Sequence, residues 1–245
     1  MPRTNSIKNL DMKLTEDKMV WIPDDEDWHK WSGDYEKEEF SEVMEYISNK
    51  GTALDIGAHV GIWTKRLAEE FEHTYCFEPV PKHVECWHKN VANDFTNVDI
   101  AEVALSDVEG TAIMKVPNTT NTGMASLELE KKDGRWLQEG WEDFPEIEVK
   151  TRPLDSYEFD ELDFMKIDVE WHEFSVLQGA LETIQKHKPD VYIEIHDYQA
   201  YAFFLSMGYR CFFANSMNRL FKFVPICNTV DGDTKVQNRH FLNKA

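Results

Sequence analysis

The 245-residue chain predicts an α/β fold: a mostly parallel sheet with helices on both faces and a closing antiparallel hairpin. Three observations carry that expectation. Strand-length apolar runs alternate three times with helical stripes between Thr52 and Ala104. The turn Asp55-Ile-Gly57-Ala-His-Val-Gly61 joins the first run to its helix. Two apolar runs joined by a polar turn, Tyr209 to Phe213 and Leu220 to Val224, then finish the chain.

The elements follow in order. Residues 1 to about 50 form a polar extension holding an acidic run, Asp24 to Asp27, expected to be solvated. Trp28, Trp31 and Tyr35 lie nearby, candidates to close over a ligand, and Glu38 to Ser48 reads as a helix. Thr52 to Ile56 is a strand, and Val60 to Phe71 a helix with Val60, Trp63, Leu67 and Phe71 on one face. Thr74 to Phe77 is the second strand, and Val84, Trp87 and Val91 mark the next helix. Val98 to Ala104 is the third strand, and right-handed crossovers make these strands parallel.

Past Gly110 the alternation breaks. A short strand, Thr111 to Val116, is expected to pair with Glu146 to Arg152, leaving an insertion or lid over 117–145. Phe164 to Ile167 is a buried strand ending at Asp168. His172 to Lys186 is helical, with Gly179 dividing it. Val191 to Ile195 is the next strand, followed by a helix to about Met207. The main domain therefore spans 51–225, before a polar tail over 226–245.

Composition narrows the partners. A net charge of −20, from 26 basic and 46 acidic residues, repels phosphate backbones and anionic membranes, and no basic patch offsets it. No nucleic acid and no membrane are expected. No apolar run reaches the roughly 18 residues of a membrane span, and Met1 to Leu14 has no apolar signal core, so the expected location is the cytoplasm. Cys76, Cys86, Cys211 and Cys227 lack metal-ligand or redox spacing and read as reduced, buried thiols.

Ligands of an open parallel sheet bind beyond the carboxyl ends of its strands. Here those ends carry Asp55, Glu78, Ser106 with Asp107, Asp168, and Glu194 with His196. A glycine turn offers backbone N–H groups at a helix start, and an acid closing the second strand accepts from two ribose hydroxyls, so the pattern suits a nucleoside. Dinucleotide sites carry G-x-G-x-x-G; this chain lacks the third glycine, which disfavours a nicotinamide-dependent oxidoreductase. A binding module without catalysis shares the same pattern. For proton removal the candidates are Asp168, Glu170, His172, Glu173 and His196, with Asp168 and His196 favoured because they end neighbouring strands. No metal is required; Asp168, Glu194, His196 and Asp197 offer ligand atoms at no diagnostic spacing.

An ordered set of segments goes further: Ala53 to Gly61, Phe77-Glu-Pro79, Ala104-Leu-Ser-Asp107 with Glu109-Gly110, Leu154-Asp-Ser156, Met165-Lys-Ile-Asp-Val-Glu170 with Glu173, and Val176-Leu-Gln-Gly-Ala180. From about Tyr35 to Glu194 the chain resembles the FkbM-type methyltransferases, a class I S-adenosylmethionine-dependent family. The resemblance implies a Rossmann-like fold with a seven-stranded sheet and an enzyme that O-methylates a hydroxyl of a sugar or small metabolite, its acceptor a small molecule or glycan. It implies S-adenosylmethionine held at its methionine end by Asp55, Gly57, Ala58 and Gly61, at its ribose by Glu78, and at its adenine by Ser106 and Asp107. Asp168 would lie beside the sulfonium or the acceptor. Two positions depart from the family pattern: His59 replaces an asparagine, and Trp171 replaces a glycine, where it is expected to fill part of the acceptor pocket.

Overall fold

The computed structural model describes residues 11–27, 30–118, 121–128 and 143–225. Trp28, most of the expected insertion and the 226–245 tail lie outside them.

The N-terminal extension opens with a hairpin that composition did not reveal, β1 (Met12–Leu14) paired antiparallel with β2 (Trp21–Pro23). Val20 and Ile22 pack against Val60 and Cys86. Helix α1 (Lys37–Met44) follows. Then come β3 (Thr52–Ile56), α2 (Ile62–Glu70), β4 (His73–Phe77), α3 (Pro81–Trp87) with a π turn over His88–Ala92, and β5 (Val98–Ala101). The expected third strand divides here. Val103 N–H turns back to Ala101 O, and Ala104–Leu105 becomes β6 of another sheet. With β7 (Gly110–Lys115) and β8 (Glu146–Arg152), β6 forms a three-stranded sheet of order β6-β8-β7, and β7 pairs antiparallel with β8 as expected.

The remaining elements are β9 (Phe164–Ile167), α4 (Glu173–Gln178), α5 (Leu181–His187), β10 (Asp190–Glu194), α6 (Tyr198–Ser206), β11 (Tyr209–Asn215) and β12 (Asn218–Phe223). Gly179 caps α4 and divides the expected helix in two. The main sheet has seven strands in the order β11-β12-β10-β9-β3-β4-β5. Its pairs are parallel except those made by β12, which runs against β10 and β11 and closes the sheet as a hairpin.

Strand alternation assigns the faces. Leu54, Ile56, Met165, Ile167, Val191 and Ile193 pack with Val176, Leu177, Ile184 and Phe204, so α4, α5 and α6 cover one face. Ala53, Phe164, Tyr192 and Leu220 pack with Phe40, Val43, Trp63 and Leu67, so α1 and α2 cover the other. Trp87 and Val91 join Cys76 in a further cluster with Ala58. The fold class read from the sequence is the one observed. Cys76, Cys86 and Cys211 are unbridged, the first two buried and Cys211 only partly so. Among the described residues, no helix is long and apolar enough to cross a membrane.

Candidate functional site

The carboxyl ends of β3, β4, β9 and β10 surround a cavity of about 380 Å³, covered by Trp31, Tyr35 and Glu36 from one side and the 121–127 segment from another. One part of its wall is apolar, with Phe77, Val80, Leu105 and Met114; another is acidic, with Asp168, Glu170 and Glu194. Of the residues expected to bind or react, Gly57, Ala58, Glu78, Asp168, Glu170 and His172 line it.

Gly57 lines it because two loops touch there. Its φ is +82°, and a Cβ would fall 1.8 Å from the carbonyl oxygen of Asp168, so no other residue fits. The amides of this turn are not available as expected. Gly57 and Ala58 both donate to Phe77 O at 3.0 and 3.1 Å, His59 N–H donates to Glu78 Oε2 at 2.9 Å, and Gly61 N–H to Ala58 O at 2.9 Å. The turn therefore shapes the wall without presenting those N–H groups to an anion.

Glu78 sits at the tip of β4, 4 % exposed. Its Oε1 accepts from Val80 N–H at 2.9 Å and meets His83 Nδ1 at 3.2 Å. Burial raises its pKa, against the opposing pull of His59 and the two amides.

Four of the expected binding residues stand behind the wall. Asp55 is fully buried within β3; its Oδ2 accepts from Thr64 Oγ1 at 2.6 Å, and its Oδ1 lies 3.8 Å from Lys166 Nζ. Asp55 alternates away from Leu54 and Ile56, so it faces α2 and not the rim. Gly61 serves packing: a Cβ there would meet Val91 and Trp87 at 2.6 and 2.8 Å. Ser106 and Asp107 sit beneath His172, whose Nε2 is 3.0 Å from Ser106 Oγ and whose Nδ1 is 2.9 Å from Glu128 Oε1. Ser106 Oγ in turn donates to Asp107 Oδ1 at 3.1 Å, leaving an apolar slot without either residue.

The acidic wall is built around Lys166, a residue the sequence reading passed over. It lies directly across from Asp55 in the β3–β9 register, and its ammonium is 3.2 Å from Asp168 Oδ2. Burial opposes its charge, but Asp168, Asp55 and Glu36 outweigh burial and raise its pKa. Burial works against the charge of Asp168 too, yet Lys166, a hydrogen bond with Glu194 and nearby His196 hold its pKa below the ordinary value. Glu170 and Glu194 are pushed the other way, to about 8 and about 9, first by burial and then by neighbouring carboxylates. At neutral pH the wall thus offers one ionised carboxylate, Asp168, between two carboxylic acids that donate hydrogen bonds. Their three oxygens lie within 4.8 Å of one another. Asp197, considered as a ligand, instead caps α6 by accepting from Gln199 N–H.

His196 is not on the cavity wall. Its Nδ1 is 3.0 Å from Glu173 Oε1, and its Nε2 is 3.7 Å from Glu170 and 3.9 Å from Glu194, so it backs the two acids. Trp171 also misses the cavity expected for it, its ring tilted against His196 with the centroids 4.7 Å apart. Glu170 and Trp171 take φ values of +50° and +76°, a backbone that glycine adopts without strain. Trp171 N–H is tied to Glu173 Oε1 at 2.9 Å, which holds that conformation.

His59, the other departure, lines the cavity, with Trp31 4.8 Å and His83 4.2 Å from its ring. Glu36, also unforeseen, accepts from Trp63 Nε1–H at 2.6 Å at the cavity edge.

Comparison with curated proteins finds no match. Among solved structures, the chain is similar to an FkbM methyltransferase from Methylobacillus flagellatus KT, at 19% identity and a TM-score of 0.48, over 71% of this chain and 44% of that one. The chain thus spans less than half of that protein's length. It is also similar to an rRNA methylase from Streptococcus thermophilus (11% identity, TM-score 0.45, 80% and 99% of the two chains) and to the N-methyltransferase NodS from Bradyrhizobium japonicum WM9 (10%, 0.44, 76% and 93%). The methyltransferase FkbM domain matches residues 55–225, which run from the end of β3 through β12 and contain most of the cavity wall. That match covers well over half of the sequence, and the chain belongs to the FkbM methyltransferase family.

Proposed function

We propose that the protein transfers a methyl group from S-adenosylmethionine to a hydroxyl of a sugar or other small metabolite. The observation that carries this reading is the continuity of one cavity from Glu78 and its apolar slot to Asp168. The donor set fits the cofactor. Glu78 offers its carboxylate to ribose hydroxyls, Phe77, Val80, Leu105 and Met114 form a slot for a flat base, and the tight Gly57–Ala58 turn leaves room for the amino-acid tail beside Asp168. When bound, the cofactor supplies the electrophilic methyl group of its sulfonium.

The chain's own residues do the rest. Asp168, ionised and oriented by Lys166, takes the proton of the acceptor hydroxyl. Glu170 and Glu194, holding their protons, donate to neighbouring oxygens of a polyhydroxylated acceptor and fix its orientation. Trp31 and Tyr35 provide flat apolar surface at the entrance and exclude water. His172 and His196 serve from the side and from behind, holding Glu128 and Glu173 with Glu170. A second acidic residue on the acceptor's surface would be repelled here, so a neutral acceptor such as a glycan is favoured over a nucleic acid.

Isothermal titration of the purified protein with S-adenosylmethionine tests the reading. Saturable one-to-one binding is expected; a folded protein giving no binding heat at any temperature would contradict it.

A further inference from the structure

Glu170 and Trp171 are consecutive non-glycine residues at positive φ, and the peptide between them has both of its polar atoms tied by side chains. Trp171 N–H donates to Glu173 Oε1 at 2.9 Å. The Glu170 carbonyl accepts from Ser126 Oγ, 44 residues earlier in the chain. A left-handed backbone at residues that carry a Cβ persists only where its surroundings hold it. Glu173 holds one side of this peptide and Ser126 the other.

Ser126 is fixed in one direction. It is 0 % exposed, and its backbone pairs both ways with Lys115: each N–H donates to the other residue's carbonyl at 3.0 Å. Its neighbours Ala125 and Leu127 pack against Val80, Ala104 and Met114, so the side chain between them faces the opposite way, toward the turn at Glu170. Ser126 Oγ accepts from Glu128 N–H at 3.0 Å. A serine hydroxyl carries one proton, and here that proton goes to the Glu170 carbonyl. The segment is fastened on either side of Ser126. Thr122 donates from N–H and Oγ1 to Glu26 Oε2 at 2.8 and 2.7 Å. Glu26 lies inside the acidic run expected to be solvated, yet it is 2 % exposed, while Asp24, Asp25 and Asp27 are exposed. His83 Nε2 lies 3.2 Å from the same Thr122 Oγ1. On the far side, Glu128 Oε1 is 2.9 Å from His172 Nδ1.

We propose that Ser126 is a positioning residue of the acceptor site: its hydroxyl holds the left-handed turn that keeps the Glu170 carboxyl in the cavity beside Asp168. Ser126 does not line the cavity and acts through Glu170. The inference rests on Glu170 orienting the acceptor, as proposed above. Without the hydroxyl, the turn relaxes toward the right-handed region that residues with a Cβ prefer. That change swings the Cα–Cβ bond of Glu170 and takes its carboxyl away from Asp168 and Glu194. The carboxyl reports its own position. In place, burial and then Asp168 and Glu173 hold its pKa at about 8, against the pull of Lys166. Away from them it falls toward the ordinary carboxyl range. Glu194 and His196 also face Glu170, and each of these groups is present in every Ser126 variant.

The test is a carbon-13 NMR titration of the glutamate carboxyls, with Glu170→Gln assigning the Glu170 signal. The wild-type signal should titrate at about 8. Ser126→Ala should lower that value by about one unit or more. Ser126→Thr keeps the hydroxyl and should return it to within about 0.3 unit of the wild type. A serine that only supported the fold would lower the melting temperature of Ser126→Ala and leave the Glu170 titration in place. That result in a folded variant would overturn the proposal. If Ser126→Ala does not fold, Ser126→Cys, close in size and a weak donor, takes its place: a fall of about half a unit is expected, and no fall would contradict it. Calorimetry of the wild type with S-adenosylmethionine separates this inference from the activity it rests on. Binding together with an unmoved Glu170 titration would overturn the positioning role alone. Absence of binding by the folded wild type would overturn the methyl-transfer reading and the acceptor-site role of Ser126 with it.

Discussion

The two loops that meet at Gly57 solve opposite problems with the same backbone device. The β3–α2 turn, running to Gly61, takes positive φ at Gly57, His59 and Gly61, pairs its amides at 57, 58, 59 and 61, and follows a single carboxylate, Asp55, held within β3 out of reach of the cavity. The β9–α4 loop, Asp168 to Glu173, makes its turn with Glu170 and Trp171 at positive φ and crowds carboxylates against one another. The first turn shapes the cavity wall without a charge of its own; the second escapes repulsion between its carboxylates by keeping Glu170 protonated at neutral pH. Strain and crowding of this kind persist only where surrounding contacts hold them, and they concentrate where chemistry is done. Lys166 is the bridge: its ammonium reaches one carboxylate at the foot of each loop.

The largest effect should come from removing that bridge. Lys166→Met leaves the fully buried Asp55 without its cation and Asp168 at the cavity wall without its partner, and should cost about 3 kcal/mol of stability by urea denaturation. A loss below about 1 kcal/mol would mean that the two loops are held apart from one another, not joined through Lys166.

Gly57→Ala should come next. A Cβ would strike the Asp168 carbonyl at a backbone angle that L-residues avoid, and the combined strain and overpacking should cost about 3 kcal/mol. A variant as stable as the wild type would show that the loops separate freely.

The smallest effect separates the loops by pH. Glu170 and Glu194 have folded-state pKa values raised to about 8 and about 9, so the stability they permit is complete below the ordinary carboxyl range and is lost as pH rises through 8 to 9. Glu194→Gln imitates the protonated acid and cannot ionise. Its melting temperature should equal that of the wild type at pH 5 and exceed it at pH 9 by about 2–4 °C. Equal melting temperatures at both pH values would remove the repulsion from the β9–α4 loop.

The contrast between the loops also explains what the sequence made legible. Periodicity fixes the alternation of β3, α2, β4 and α3, and the acids at strand tips (Glu78, Asp168, Glu194) do reach the cavity. Asp55 was misplaced because both faces of a parallel strand are covered, so an acid inside the strand and one at its tip look alike in the sequence. The available signal was the partner: Lys166 is a lysine inside an otherwise apolar strand, and it sits opposite Asp55. His196 lies two residues past the end of β10 and is captured by Glu173 from the neighbouring helix, which strand-end logic does not foresee. Glu26, His83 and Thr122 come from segments far apart in the chain, and no local pattern links them. The divided third strand escaped because apolar residues (Val98, Ile100, Ala101, Val103, Ala104) run through both pieces, and only the Val103 turn separates the two sheets.

The most direct measurement is the affinity of Glu78→Gln for S-adenosylmethionine beside that of the wild type, by calorimetry at pH 7.5. The structure places Glu78 in the cavity wall, and the amide offers one uncharged acceptor oxygen where the carboxylate offers two, so at least about tenfold weaker binding, or ~1.4 kcal/mol, is predicted. Equal affinity in the two proteins would contradict the placement of the cofactor on which the proposed activity stands.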